Sequence, residues 1–483
     1  MHPVSPELPC FEGGKRDRGR RLRPGERLRQ LEWDFFMYAL YSALLAVFLV
    51  ITLPYWLLQM LRHGKYRAGL RQRFGAVPPH LLKIGGLKIG DRRTIWVHAV
   101  SVGEVVASAA VVAALKREFP SHQVLVSTTT STGQKLAARK FGAENVFYFP
   151  LDLAFAVWPY IESLRPDLCV IAETEFWPNF LRLAKRGGAC VAVINCRISD
   201  RSFPGYRRLR FWLPKVLANV DLFLAQTEED KRRLVEIGAP AARVQVAGNL
   251  KFDVAPPPMS SIATSLRASF EQSGAGPVLV CGSTLDEEEG LLLSAFRNIL
   301  ATHPKAVMIL APRHPERFAE VATLVDQLGF RVWRRSLWSG DPLAGSVLVL
   351  DSIGELAALY SLATVAFVGG SLVPRGGHNI LEPAMYGVPI VIGNHYENFR
   401  DIVNVFLSRD AVRVVGMAEL ALVFMELIEN GEERVKLGCN ALAALDSQRG
   451  ATTRTVQALI ELVNRESTNE PAGNARRARK AAE

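Results

Sequence analysis

Glu104 is the first side chain in the sequence whose position indicates chemistry. An apolar run begins at Ile95, a turn follows at 101–103, and an Ala-rich helical pattern continues beyond Glu104. A strand, a short turn and a helix of this kind form one βα unit. A carboxylate at the carboxyl end of a parallel strand is placed to act as a general base. An acid at this position also stabilises a helix start, because it faces the positive end of the helix dipole. The stretch alone leaves both interpretations open.

The segment 366–393, AFVGGSLVPRGGHNILEPAMYGVPIVIG, carries a second candidate site. Glycine pairs at 369–370 and 376–377 precede a helix predicted over 379–387, and Glu382 lies in its first turn. Free backbone N–H groups and a helix start suit a phosphate, while Glu382 is placed to accept ribose hydroxyls. The alternative is that the glycines only form tight turns. The chain has neither a Walker A motif nor a G-x-G-x-x-G after its first strand, which argues against a P-loop and a nicotinamide cofactor.

The elements that must position these side chains alternate along the chain. Apolar runs separated by helical patterns predict parallel sheets with helices on both faces. Three consecutive prolines at 256–258 predict a semi-rigid linker between two doubly wound domains, and a cleft between such domains is a usual ligand site. The predicted strands are 95–100, 124–127, 168–172, 190–194, 222–225, 278–281, 307–310, 347–350, 365–368 and 390–392.

Before the first domain, the segment 35–61 is apolar and contains no charged residue. It exceeds the roughly 20 residues that span a bilayer and no cleavage site follows, which predicts an uncleaved anchor. Pro54 leaves a bent or partly inserted helix open. Lys and Arg concentrate on both sides, at 15–29 and 62–73, and the chain carries a net charge of +11. Basic clusters beside an apolar segment favour anionic membrane lipids, and not nucleic acid, as the partner.

The cysteines and histidines do not form a metal-binding pattern. The six cysteines are scattered without a C-x-x-C pair, and the nine histidines show no H-x-x-x-H or H-E-x-x-H spacing. We therefore predict reduced thiols and no zinc site.

Six motifs together resemble those of the 3-deoxy-D-manno-octulosonic acid (Kdo) transferase family. They are, in chain order, HAVSVGE, AETEFWPNF, GNLKFD, APRHPERF, DSIGELAALY and FVGGSLVPRGGHNILEPA. The resemblance runs from about residue 37 to about residue 464. It implies an α/β chain with the GT-B glycosyltransferase fold, in which an N-terminal membrane anchor helix precedes two Rossmann-like domains. It further implies CMP-Kdo as the donor, a lipid A precursor as the acceptor, no metal or other cofactor, and attachment to the cytoplasmic side of the inner membrane.

The resemblance also assigns roles to individual residues. Glu104 matches the family's general base, and Glu173 and Lys251 match its proposed transition-state stabilisers. The residues that match its CMP site are Pro312, Arg313, Ile353, Gly354, Glu355, Asn379, Ile380, Leu381 and Glu382. The predicted domains are the anchor at 35–61, an acceptor-binding domain at 62–255 and a CMP-Kdo-binding domain at 256–465. Composition predicts a basic disordered extension at 1–34, which is a departure from the family, and a disordered tail at 466–483.

An arginine cluster is the candidate for contact with the acceptor. Arginine binds phosphate well, and a lipid A precursor carries phosphates, although such a charge run is also typical of a solvated face. The cluster consists of Arg197, Arg201, Arg207, Arg208 and Arg210. Two alternatives to Kdo transfer remain. One is a membrane-associated GT-B enzyme with a UDP-sugar donor, which the order of the motifs argues against. The other is an inactive GT-B membrane scaffold, which the presence of Glu104 and Arg313 argues against.

Overall fold

A computed structural model describes residues 24–63, 68–83, 93–253 and 260–469. The proline linker at 256–258 and the tail beyond 469 lie outside the described residues, as do the first 23 residues. The chain begins with the 40-residue helix α1, Pro24–His63, followed by the short helices α2, Leu70–Arg73, and α3, Pro79–Lys83. The prediction of a disordered extension up to residue 34 is thus wrong for residues 24–34, which are helical.

Helix α1 contains one segment, Phe36–Leu58, that is long and apolar enough to cross a membrane, with a mean hydropathy of 2.3. Its first turns pack against the protein instead of facing outwards. Met37 and Tyr38 are buried, and Ser42 Oγ accepts a hydrogen bond from Asn179 Nδ2 (3.0 Å). From Leu44 onwards most of its large apolar side chains are exposed. The outward-facing apolar part is therefore shorter than the predicted anchor, and Pro54 lies inside the helix without ending it.

The first sheet has seven strands in the order β3-β2-β1-β4-β5-β6-β7, and every pairing is parallel. Its inner strands are apolar on both faces because helices cover both sides. The strands are β1 Arg93–His98, β2 His122–Thr128, β3 Val146–Tyr148, β4 Leu168–Ala172, β5 Cys190–Cys196, β6 Leu222–Ala225 and β7 Val244–Val246. The helices are α4 Val102–Glu118, α5 Ser131–Phe141, α6 Ala154–Leu164, α7 Pro178–Arg186, α8 Phe203–Arg208, α9 Leu213–Leu217 and α10 Glu228–Glu236.

The second sheet repeats this design in the order β10-β11-β9-β8-β12-β13-β14, again with parallel pairings. The strands are β8 Val278–Thr284, β9 Val307–Pro312, β10 Arg331–Arg334, β11 Ser346–Val349, β12 Val365–Val368, β13 Ile390–Gly393 and β14 Arg413–Val415. The helices are α11 Ser261–Ser273, α12 Glu288–Thr302, α13 Phe318–Gln327, α14 Leu356–Leu359, α15 Leu381–Ala384, α16 Arg400–Leu407, α17 Leu420–Glu429, α18 Gly431–Asp446 and α19 Ala451–Asn469. Two doubly wound domains are confirmed.

Helix α19 returns to the first domain. Ala451, Val456 and Leu459 are buried in the same apolar core as strands β1, β4 and β5 and helix α4. The carboxylate of Asp253 accepts hydrogen bonds from the backbone N–H groups of Gly450 (2.7 Å) and Thr452 at the start of this helix. The predicted second domain, 256–465, therefore includes a helix that packs on the first, and the boundary predicted at 466 lies inside α19.

Candidate active site

The order of the first sheet reverses between β1 and β4, and this switch point is where open α/β sheets bind ligands. Glu104 lies in the first turn of α4, directly after β1, and Glu173 directly follows β4. Because β1 and β4 are parallel neighbours, their carboxyl ends bring the two acids to the same edge of the sheet. The sequence alone had placed each acid at a strand end but not at adjacent strands.

The Glu104 carboxylate is almost completely buried, with 7% of the residue exposed. Its Oε2 accepts a hydrogen bond from the Val100 backbone N–H (2.6 Å) and its Oε1 accepts one from Ser101 Oγ (2.9 Å). Both contacts belong to the start of α4, so the helix-start interpretation is geometrically correct. Burial and, after it, the negative charge of Glu173 nevertheless outweigh the two hydrogen bonds and together raise the pKa of Glu104 from 4.5 to about 7. A carboxylate with such a pKa is suited to take up a proton near neutral pH.

Glu173 and Lys251 form an ion pair beside Glu104. Lys251 Nζ lies 3.4 Å from Glu173 Oε1, and Glu173 adopts a left-handed backbone conformation with φ of 59°. The lysine belongs to a 3-10 turn, Leu250–Phe252, whose position is set by amide side chains. Asn195 Oδ1 accepts the Leu250 N–H (3.0 Å) and Asn249 Oδ1 accepts the Lys251 N–H (2.9 Å). The structure thus brings all three residues predicted for catalysis to one edge.

Glu175 is a third acid at this edge, and the sequence analysis missed it. Burial raises its pKa, and the charge of Glu173 raises it further. Glu175 also contributes to the raised pKa of Glu104. The signal that could have found it is the spacing in ETE, where the two acids lie two residues apart immediately after β4.

In the second domain, the residues predicted to bind CMP follow the carboxyl ends of three strands. Arg313 follows β9 and is exposed, and its backbone N–H donates to Thr284 O (2.9 Å) at the end of β8. Glu382 accepts a hydrogen bond from Asn379 Nδ2 (3.4 Å). Burial raises the pKa of Glu382, while this hydrogen bond and the charge of Arg313 act in the opposite direction. Arg313, Asn379 and Glu382 therefore form one group, with Ile380 and Leu381 buried beneath it.

The turn after β11 supplies the remaining predicted donor contacts. Ile353 is 80% exposed, and Gly354 has φ of 94°, a conformation that other residues rarely adopt. Glu355 is already engaged, because it accepts hydrogen bonds from Arg335 Nη2 (2.9 Å) and from the Ser352 hydroxyl. Glu355 is thus held in place, and the open side of the turn is formed by Ile353 and Gly354.

The glycine pair at 369–370 does not offer free N–H groups to a phosphate. The Glu288 carboxylate accepts hydrogen bonds from the backbone of Gly370 (2.7 Å), Ser371 (2.9 Å) and Leu372 (2.9 Å). The helix predicted over 379–387 is also shorter, since α15 spans only Leu381–Ala384. The first half of the proposed phosphate loop is therefore wrong: it is a structural turn filled by an acid of the same domain.

His378 is a further residue that the sequence analysis missed. Its ring lies against Gly370, where an added Cβ would approach its Nε2 to 2.8 Å. That nitrogen is buried and has no hydrogen-bond partner among the described residues. Burial, together with the positive charges of Arg313 and His314, lowers the pKa of His378 to about 4. A neutral imidazole therefore lies beside the predicted donor residues.

The arginines of the cluster have different partners in the structure. Arg197 is paired with Asp401 of the second domain (2.7 Å), and Arg207 lies 3.9 Å from Glu236. The other four arginines of the cluster are exposed and in reach of an anionic partner: Arg201, Arg207, Arg208 and Arg210. Arg197 is thus better described as an inter-domain contact than as a phosphate ligand.

Comparisons with known proteins bear on the family of the chain and on its fold. The sequence profile of the 3-deoxy-D-manno-octulosonic-acid transferase (kdotransferase) family matches residues 68–254. A 3-deoxy-D-manno-octulosonic acid transferase from Haemophilus influenzae is 32% identical over 90% of this chain and 99% of its own length. The enzyme of the same name from Bordetella pertussis is 35% identical over 76% of this chain and 86% of its own.

The chain belongs to the Kdo transferase family. The assignment rests on the relatives that align with this chain along most of their length. Membership of this family makes the chain a glycosyltransferase of lipopolysaccharide biosynthesis. A glycosyltransferase from Rickettsia africae, 13% identical, superimposes with a TM-score of 0.51 over 79% of this Kdo transferase and 100% of that chain. At this identity the likeness concerns the fold alone, and it confirms the GT-B architecture.

Proposed function

We propose that this Kdo transferase transfers Kdo from CMP-Kdo to a lipid A precursor, lipid IVA, with Glu104 as the general base. The observation that carries the proposal is the buried Glu104, whose pKa is raised to about 7 beside the Glu173–Lys251 pair at the switch point of the first sheet. The residues that match the family's CMP site lie at the corresponding edge of the second sheet.

The chemical step follows from these positions. The acceptor hydroxyl gives its proton to the Glu104 carboxylate while its oxygen attacks the anomeric carbon of Kdo. The bond from that carbon to the phosphate oxygen breaks, and CMP leaves with the electron pair. Attack from the face opposite CMP inverts the anomeric centre. Glu173 holds Lys251 in reach of the negative charge that develops, so the base and the stabilising cation come from adjacent loops.

The leaving group is proposed to be stabilised by the protein's own cations. Arg313 supplies an exposed guanidinium at the end of β9 for the phosphate, and Lys251 supplies a second positive charge from the first domain. Glu382 and Asn379 are placed to bind ribose hydroxyls. We therefore propose a metal-independent reaction, for which added chelator leaves the rate unchanged.

The acceptor is proposed to approach from the membrane. Helix α1 packs on the first domain through Tyr38, which forms a T-shaped aromatic contact with Trp212 at a centroid distance of 5.6 Å. The adjacent Phe211 is 64% exposed and follows the exposed Arg208 and Arg210. An apolar side chain beside two arginines suits a phosphorylated lipid at a bilayer surface. Because CMP-sugars are made in the cytoplasm, the cytoplasmic side of the inner membrane is the proposed location.

A direct assay tests the proposal. The full-length protein in detergent is incubated with CMP-Kdo and lipid IVA, and the lipid is weighed by mass spectrometry. The expected product is heavier by one or more Kdo units, and its mass gives their number. Transfer from a UDP-sugar in place of CMP-Kdo would favour the other GT-B donor class. No transfer from any donor, with CMP still bound, would favour a scaffold role.

A further inference from the structure

Two ion pairs join the domains across the cleft, and the charges on the two sides are reversed. Arg197 Nε of the first domain lies 2.7 Å from Asp401 Oδ2 of the second. Asp200 Oδ2 of the first domain lies 3.4 Å from Arg400 Nη1 of the second. One loop, 197–200, therefore meets the start of α16 with one cation and one anion on each side.

The loop 197–200 is fixed to the first domain from behind. Asp230 Oδ1 accepts the Ile198 backbone N–H (2.9 Å). Arg233 donates to Ile198 O (2.7 Å) and to Asp200 Oδ1 (2.6 Å). Because α10 holds Ile198 and Asp200, a displacement of Arg197 is not absorbed by bending of this short loop.

On its inner side the same loop is joined to the active site. The Arg197 backbone N–H donates to Thr174 Oγ1 (3.1 Å), and the Thr174 hydroxyl donates to Arg197 O. Thr174 lies between Glu173 and Glu175 in the sequence. Glu173 has the left-handed φ of 59°, a conformation that persists only where neighbouring contacts hold it. The two hydrogen bonds between Arg197 and Thr174 are such contacts.

In the second domain, the element that carries Asp401 is joined to the predicted donor loop. Asn398, three residues before Asp401, donates its backbone N–H to Gly376 O (3.0 Å) and its side-chain Nδ2 to Arg375 O (3.1 Å). An added Cβ at Gly376 would approach the Asn398 side chain to 2.3 Å, so this close contact requires glycine. The loop then continues to His378 and the CMP-site residues.

We propose that Arg197 and Asp401 are positioning residues of the transferase reaction. We call the ion pair between these two residues the clasp. The clasp fixes the position of the second domain relative to Arg197, and Thr174 links Arg197 to the Glu173 backbone. The Glu173–Lys251 pair beside Glu104 is thereby held in place. The loop that contacts Asn398 leads into the predicted donor site. Donor binding there is therefore coupled to the arrangement of the site in the first domain. The effect on turnover rests on the proposed function, whereas the effect on the Glu173 loop does not.

Removing the clasp should have an effect that removing an ordinary surface ion pair does not have. Exposed ion pairs contribute little to stability, so Asp401→Ala should leave the melting temperature nearly unchanged. It should nevertheless loosen a loop of the other domain. Asp446→Ala is the matched control: its side chain is 49% exposed against 50% for Asp401, and it forms a 2.7 Å ion pair with Arg449.

The first measurement is hydrogen–deuterium exchange of the full-length protein without any substrate. Peptides that cover residues 173–178 should exchange on the order of tenfold faster in Asp401→Ala, Arg197→Ala and Thr174→Val than in the wild type. Asp446→Ala and Thr174→Ser, which keeps the hydroxyl, should match the wild type. Unchanged exchange at 173–178 in Asp401→Ala would overturn the proposal, whatever the donor of the enzyme is.

The second measurement is a double-mutant cycle on Kdo transfer. Arg197→Ala and Asp401→Ala should each lower kcat by on the order of tenfold, with CMP affinity changed less than about twofold, and the double variant should be no slower than either single one. Additive losses, or losses in CMP affinity alone, would overturn the clasp. A wild type that transfers no Kdo, but whose exchange at 173–178 still depends on Asp401, would contradict the proposed function and leave the clasp standing.

Discussion

Glu104→Gln separates a general base from a helix-start residue, because only the first role predicts that turnover and stability change with pH around the pKa of Glu104. Gln keeps the size of the side chain and one hydrogen-bond acceptor, but it cannot take up the acceptor's proton. We expect turnover to fall by roughly 10²–10⁴-fold. Wild-type turnover should rise with pH and level off above about pH 7, the pKa to which burial raises Glu104, while the residual turnover of the variant should not show this limb.

The same substitution should change the pH dependence of stability. Well below pH 4.5 Glu104 is protonated in both the folded and the unfolded chain, so its titration does not change the free energy of unfolding. Between 4.5 and about 7 the folded state keeps a proton that the unfolded state loses, so the stability of the wild type falls as pH rises. At about 1.4 kcal/mol per pH unit, the loss reaches about 3 kcal/mol and stays constant above pH 8. Glu104→Gln lacks this loss, so its stability relative to the wild type should increase over this range.

Melting temperature and single-turnover rate, both measured from pH 4.5 to 8.5 on one preparation, test these expectations together. Glu118→Gln, at the other end of α4, is the control for a carboxylate with ordinary exposure. A helix-start role alone would give near-normal turnover and a small loss of stability, about 0.3–1 kcal/mol, that does not grow with pH. That combination would refute the assignment of Glu104 as the base.

Three further predictions concern the neighbours of Glu104, the donor site and the membrane helix. Glu173→Gln should move the acid limb of the pH–rate profile to lower pH, because the Glu173 charge raises the pKa of Glu104; a limb that does not move would show that the two acids are not coupled. Arg313→Ala should weaken CMP binding in calorimetry by about 1.5–3 kcal/mol, with Glu382→Ala also weaker, and unchanged affinity in both would exclude this site. Full-length protein should resist a high-salt wash of membranes, whereas polar replacement of the outward side chains should release it with CMP affinity intact. Those side chains are Leu44, Val47, Val50 and Ile51.

The strands that the sequence predicted are the ten inner ones, and the four that it missed are the four sheet edges. β3, β7, β10 and β14 are three or four residues long and pair on one side only. β10 reads RVWR and β14 reads RVV, so neither contains a continuous apolar run, since part of an edge strand meets solvent. β3 reads VFY and is buried, and its run is only three residues long. The apolar pattern therefore predicted the buried inner strands of each sheet. The edge strands become recognisable only in the structure, where they pair with those inner strands.

The active site divides in the same way. Residues at strand ends were predictable, because parallel strands present their carboxyl ends at one edge, and Glu104 and Glu173 follow this rule. Contacts between distant segments were not predictable. Glu288 fills the turn at 370–372, and Arg197 reaches Asp401, yet neither contact leaves a local signature in the sequence.

The packing of α19 on the first domain has a consequence for how the protein folds during its synthesis. The ribosome completes the seven strands of the first sheet by Val246, yet the buried side chains of α19 that close its core are synthesised more than two hundred residues later. At about 5–20 residues per second this interval lasts roughly 10–45 s. Throughout it, helix α1 has been made while an apolar face of the nascent first domain stays uncovered. A chain that stops before residue 451 would keep that face exposed and be recognised by chaperones and proteases, so we expect a stable first domain only once α19 has been made.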